Sequence, residues 1–333
     1  MSLSLRNTRD AAASVLDSMG LLDASLRRTS GRYVMAYHRV LQPQEAQREW
    51  CHSAIWVRPQ TLAVQLKYFS TVGRIVSLDE LLEAGTDTRL PLFAITFDDA
   101  WIDNLQVLPL LEQYGVRACF FVPTDAVSTD RLFWTEELAQ KIGNALKGPK
   151  AAALAAHIGC QPESDTSVVL PKVMAFIEAL KEQNPDERAM SIASLFATFD
   201  ISDDPIRGRV MSWDQVRALL ARGHDIGSHS KSHLILRNVD QSTVDLELIE
   251  SKRILQSELQ REVNHFCFPN ARYDAVSASR IHAAGYKYGF RMHNVPVRRS
   301  DDPALIPRFS VSEVNSTMPW FKVRLLRSHF SHA

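Results

Sequence analysis

Two adjacent carboxylates end the apolar run of Leu92 to Asn104, LFAITFDDAWIDN. Such a run reads as a buried parallel strand that delivers Asp98 and Asp99 to the rim of a sheet or barrel, where α/β folds keep their chemistry. Neighbouring carboxylates in a partly buried place stay ionised together only beside positive charge, and a metal ion would supply it. Ligands that could complete such a site lie in Gly223 to His233, GHDIGSHSKSH. His229 and His233 are four residues apart, and the Ser and Gly around them predict a loop after a short strand, Asp225 to Gly227. One Asp and two His leave open the position that catalytic zinc sites keep for water. The expected metal triad is Asp99, His229 and His233. Either half alone has an ordinary explanation: Asp pairs also shape turns, and HxxxH also occurs as surface histidines.

Taken in order, these segments resemble the polysaccharide deacetylases, the NodB-homology group of carbohydrate esterase family four. The group's TFDDG motif is matched by Thr96, Phe97, Asp98, Asp99 and Ala100, and its HS/TxxH motif by His229, Ser230, Lys231, Ser232 and His233. A third motif, of the YPNGRYD kind, is matched from Phe268 to Asp274. The resemblance runs from about Arg32 to Arg308 and implies a distorted (β/α) barrel of about seven repeats. It also implies a metal-dependent hydrolase that removes N-acetyl groups from an amino-sugar-containing glycan or glycan precursor.

Roles follow from the resemblance. Asp98 is the expected base, with Asp99, His229 and His233 holding a divalent ion. The ligand set suits zinc, and nickel or cobalt would fit the same donors. The backbone N–H of Asn270 is expected to meet the oxyanion. In a branch of the family with circularly shifted motifs, a first strand ending YHxV supplies a histidine that other members carry near the C-terminus. His38, in YVMAYHRV, is thereby the expected general acid, in preference to His329 and His332. In relatives a strand that looks like Ala304 to Phe309, ALIPRF, carries an Arg paired with the catalytic Asp, so Arg308 is a candidate; a surface or interdomain Arg is the competing reading. Ala100 and Ala271 stand where Gly is usual, and Cys267 where many relatives carry the Arg that orients the base. Two other readings stay open: a hydrolase of the same fold acting on an O-acetyl ester or a non-sugar amide, and a catalytically silent carbohydrate-binding protein.

The elements that must position these residues alternate strand and helix. Strands are predicted at Tyr33 to Val40, Arg117 to Val122, Val263 to Phe268 and Lys287 to Phe290. Helices are predicted over Arg58 to Gly73, Leu78 to Gly85, Asn104 to Tyr114, Val239 to Glu262 and Tyr273 to Gly285. Ser212 opens a capping box, SWDQ, for a helix through Arg222. Asp99 and His229 are 130 positions apart, more than the family's simpler members need, and the stretch between is Ala-rich. The expected organisation is a peripheral helix over 1–30, a barrel over 31–134 and 206–333, and a helical insertion over 135–205. The insertion could be a lid, a substrate wall, an oligomer interface or padding.

The chain has 333 residues with 38 basic and 38 acidic side chains, a balance that indicates no nucleic-acid footprint. No stretch approaches the roughly 20 apolar residues of a membrane span. Cys51, Cys119, Cys160 and Cys267 lack CxxC spacing and read as reduced thiols, mostly buried. The N-terminal stretch is broken by Arg and Asp, and a cytoplasmic protein is expected, which would favour a lipid-linked or nucleotide-linked precursor as substrate.

Overall fold

The computed structural model describes residues 3–85, 89–161, 166–315 and 317–330. Seven parallel strands close into a barrel: β1 (Arg32–Tyr37), β2 (Leu92–Phe97), β3 (Cys119–Val122), β4 (Asp225–Ser228), β5 (His265–Cys267), β6 (Tyr288–Met292) and β7 (Ile306–Ser310). Each strand pairs with its sequence neighbour in the barrel. The ring shuts where β1 meets both β2, Tyr37 opposite Phe97, and β7, Met35 opposite Phe309. A two-residue strand, Arg74–Ile75, adds to β2 at its N-terminal half.

The strand runs are apolar on both faces because both are covered. Along β1 and β2 every residue is buried. Inward positions are small or aliphatic (Val34, Leu92, Ala94), since a seven-stranded interior is narrow, and Phe121 and Phe290 fill its middle with ring centroids 5.4 Å apart. Outward positions are larger: Tyr33, Tyr37, Phe93 and Phe97 pack under the surrounding helices, Pro59–Val72 among them. Gly227 on β4 is required by the filling, because a Cβ there would lie 2.5 Å from the Phe121 ring.

Near the N-terminus the described residues form two helices, Leu3–Ser18 and Leu21–Arg27. They lie against Met318–Phe330, where Lys322 Nζ reaches Asp17 at 2.6 Å and Asp23 at 2.8 Å. Between β3 and β4, after the helix Thr124–Thr129 and before the helix Trp213–Ala221, the chain leaves the barrel as four helices, Trp134–Ala145, Ala151–His157, Thr166–Leu180 and Pro185–Phe199. These carry a core of their own, with Ile142, Leu154, Val173 and Leu195, into which Trp50 projects from the segment after β1. No described helix is long and apolar enough to cross a membrane.

Several helices differ from the sequence reading. Asn104–Tyr114 is a 3-10 turn, Ile102–Val107, before a short α-helix, Leu108–Gln113; Pro109 at the start of that helix lacks the N–H that a continuous helix would need. Of Tyr273–Gly285 only Ala275–Ser279 is α-helical. The helix predicted over Val239 to Glu262 spans Gln241–Leu259, and its Glu247 is buried at 4% exposure.

Candidate active site

Six of the seven singled-out side chains belong to residues at or just past the C-terminal ends of barrel strands, and Arg308 lies within β7. Asp98 and Asp99 follow β2, His38 follows β1, and His229 and His233 follow β4. Consecutive residues of a strand point to opposite faces, so two adjacent aspartates would not normally share a cleft. The backbone departs from the strand at this point: Asp99 has φ +75° and Ala100 φ +52°, both left-handed. Both carboxylates consequently line one cleft, with His38, His229, His233, Asn270 and Arg308. A second left-handed pair, Asn270 (φ +54°) and Ala271 (φ +55°), forms the opposite edge. Left-handed backbone costs about 1–2 kcal/mol at a residue with a Cβ, and both alanines stand where the resemblance expects Gly.

The triad converges. Asp99 Oδ1 lies 3.2 Å from His229 Nε2 and 3.2 Å from His233 Nε2. All three groups are buried. His229 Nδ1 is 2.8 Å from the carbonyl oxygen of Cys267, which can only accept, so this nitrogen carries a proton, and in the neutral ring the Nε2 lone pair faces Asp99. A lone pair facing a carboxylate oxygen is repulsive unless a cation lies between them. Ligand atoms around a tetrahedral zinc with bonds of about 2.0–2.1 Å are about 3.3 Å apart, so the donor set fits a divalent ion. Trp101 Nε1 donates to Asp99 Oδ2 at 3.0 Å, leaving Oδ1 for the histidines. Trp101 is itself fixed by Phe133 edge-on at 5.3 Å and by the Arg39 guanidinium 4.1 Å above its ring. Trp101→Phe keeps the packing and removes the donor. It is expected to weaken zinc binding by about 10- to 100-fold, measured by competition with a chelator; an unchanged affinity would show that Asp99 needs no second anchor.

Asp98 is committed elsewhere. Arg308 Nη1 donates to Oδ1 at 2.7 Å and Nη2 to Oδ2 at 2.6 Å, a two-pronged pair buried on both sides. Thr96 Oγ1 accepts from Arg308 Nη1 at 3.1 Å, and the guanidinium lies 5.2 Å above the Phe121 ring. Burial alone would push the Asp98 carboxyl up, but the Arg308 charge outweighs it and holds the group below the usual carboxylate range. Cys267 Sγ, 2.7 Å from Arg308 Nη2, lies beside this pair, and burial pushes its thiol up, keeping it neutral. An alternative ligand group, Asp98 with His229 and Cys267, is therefore a poorer cage, because both Asp98 oxygens already serve Arg308.

His38 Nε2 is 3.6 Å from Asp98 Oδ2, beyond hydrogen-bond range, and its carbonyl accepts from Asn104 Nδ2 at 2.8 Å. His329 lies on the helix Met318–Phe330 and is not among the residues that line the cleft, while His332 is outside the described residues. The HSKSH loop is held from below by Glu247, which accepts from the N–H groups of Lys231 and Ser232 at 2.9 Å each. Sequence reasoning missed this residue. It also missed Glu136 and Lys181, which reach the cleft from the four-helix segment, and Phe133, whose ring lies 4.5 Å from that of His233. Burial raises the Glu136 carboxyl, and the nearby Asp99 charge adds to the rise. Beside the motifs, Arg272 turns away to Glu178 and Glu182, whereas Trp101 and Asn104 anchor Asp99 and His38.

A family model described as polysaccharide deacetylase matches residues 170–289, which include the histidine loop and the third motif. No curated protein matches the chain. Among solved structures, the fold is similar to the Streptococcus pyogenes deacetylase PplD in complex with acetate, at TM-score 0.57 and 15% identity over 90% of this chain and 97% of that one. It is similar to a de-N-acetylase from Aggregatibacter actinomycetemcomitans at TM-score 0.58 and 14% identity, over 88% and 99% of the two chains. IcaB from Ammonifex degensii gives TM-score 0.55 and 18% identity over 88% and 95%. The matched segment and the closed seven-stranded barrel make the chain similar in fold to these polysaccharide deacetylases.

Proposed function

We propose that the protein is a metal-dependent N-deacetylase of an amino-sugar-containing glycan or glycan precursor. The observation that carries this reading is the division of labour between adjacent carboxylates: Asp99 faces two imidazoles, and Asp98, locked to Arg308, stays ionised without being a ligand. Asp99, His229 and His233 would hold a divalent ion, which would supply the Lewis acidity that acidifies water and polarises a carbonyl. Asp98 takes the proton of the attacking water. The Asn270 N–H donates to the oxygen that becomes negative as the acetamide carbon turns tetrahedral. His38 returns a proton to the leaving nitrogen, giving acetate and a free amine. A binding protein needs no ionised carboxylate beside a three-ligand ion, which argues against the silent alternative.

The test pairs elemental analysis of protein purified without added metal with acetate release from N-acetylglucosamine oligomers and from O-acetylated sugars. Near-stoichiometric zinc, nickel or cobalt with acetate from the N-acetyl substrates is the expected result. Release from the O-acetyl sugars alone would make the protein an esterase, and absence of metal after reconstitution would overturn the triad.

A further inference from the structure

The four-helix segment is fastened over the barrel mouth at two places. On one side Trp50, from the segment after β1, is 6% exposed within the helical core, and Gly143 makes room for it, since a Cβ there would lie 2.0 Å from the indole. Next to Trp50, Glu49 joins Arg209, on the chain returning from the helices, at 2.8 Å, and Arg39, just past β1, at 2.7 Å. On the other side Arg272, in the loop after β5, reaches Glu178 at 2.8 Å and also Glu182, residues at or just past the end of the helix Thr166–Leu180. The other oxygen of Glu178 takes Lys181 Nζ at 2.7 Å. Arg272 thus ties the left-handed Asn270–Ala271 turn to the helices.

The cleft is consequently walled on the sides of β1 and β5, and Glu136 and Lys181 reach into it between them. On the side of β6 and β7 its lining, Met292, Arg308 and Ser310, comes from the barrel strands themselves. The space has a volume of about 210 Å3, below the roughly 300–1,000 Å3 of sites that take a whole small ligand. A space of this size with its entrance on one side suits the end of a molecule and not its middle. Resting on the deacetylase reading, we propose that the four-helix segment is a fixed roof that limits the enzyme to a terminal unit of a glycan, with Arg272, Glu178 and Glu182 as the clamp that excludes interior units. A glycan threading past the triad would have to part this clamp. A terminal unit enters from the β6–β7 side and stops beneath Lys181.

The experiment locates each lost acetyl group on N-acetylglucosamine hexamers by fragmentation mass spectrometry, for wild type, Arg272→Ala, and Glu178→Gln combined with Glu182→Gln. Wild type is expected to release acetate mainly from a terminal unit. Both clamp variants should raise the ratio of interior to terminal release by about fivefold or more, as the loss of two partly exposed ion pairs permits. The paired glutamate variant, remote from the Asn270 turn, should keep terminal kcat/KM near that of wild type. Equal interior and terminal release by wild type, or an unchanged ratio in both variants, would overturn the roof. Saturation-transfer NMR with hexamers isotope-labelled at a terminal or an interior acetyl group reads the same point without turnover. Saturation confined to the terminal acetyl, with no acetate released, would defeat the hydrolase reading yet support the roof; equal saturation along the chain would overturn the roof itself.

Discussion

Asp98→Asn is expected to lower kcat for acetate release by about 10²- to 10⁴-fold, the usual contribution of a positioned proton acceptor. Metal content should stay near that of wild type, because Asp99 Oδ1 and the two imidazoles form the triad and both Asp98 oxygens face Arg308. The amide keeps the shape of the carboxylate but cannot take the water's proton. Elemental analysis on the same preparation separates the two roles. If the ion leaves with the carboxylate, Asp98 is a ligand and the assignment of the pair is reversed.

The second large effect concerns the cation beneath the base. Arg308→Met leaves Asp98 buried and unpaired, which is expected to cost about 3–5 kcal/mol of stability, measured by urea unfolding. Activity should change in a particular direction with pH. The folded Asp98 titrates below an unfolded carboxylate, whose value is about 3.9. The stabilisation it gives is therefore present above that unfolded value and is lost as pH falls through the lower folded one. Without the guanidinium, burial dominates and pushes Asp98 up, so the acid limb of kcat/KM should move to higher pH. Arg308→Lys keeps a positive charge but loses the two-pronged contact and should fall between the two. An acid limb that stays in place across all three proteins would mean that Asp98 is not the group it reports.

The parts of the molecule that could be read from sequence share one property: their signal is local. Runs such as YVMAYH and LFAITF announce strands covered on both faces, and Asp, His and Ser at fixed spacing carry ligand chemistry whatever surrounds them. The resemblance supplied what spacing could not, including the interest of His38 and Arg308. What stayed hidden depends on the path of the chain in space. Glu136 and Lys181 sit in an Ala-rich stretch with no motif, and only the return of the four helices over the barrel mouth brings them to the cleft. Glu247 is one of many charges on its helix, and nothing in the helical period shows that a histidine loop rests upon it. The short helix at Ala275–Ser279 was overextended in the reading because apolar spacing continues to Tyr286, where the chain folds as turns.

The pairing of Asp98 with Arg308 also bears on how the protein is made. Asp98 follows β2 near the beginning of the barrel, and its counter-charge arrives on β7, 210 residues later. A growing chain emerging from the ribosome holds its two aspartates, then its histidines, long before the guanidinium that makes burying Asp98 tolerable. Until β7 docks against β1, the half-built barrel has reason to stay open at that seam, with water doing the work of the missing cation. Competence should thus appear in one late step, so that truncation before Arg308 removes the enzyme entirely and does not merely weaken it.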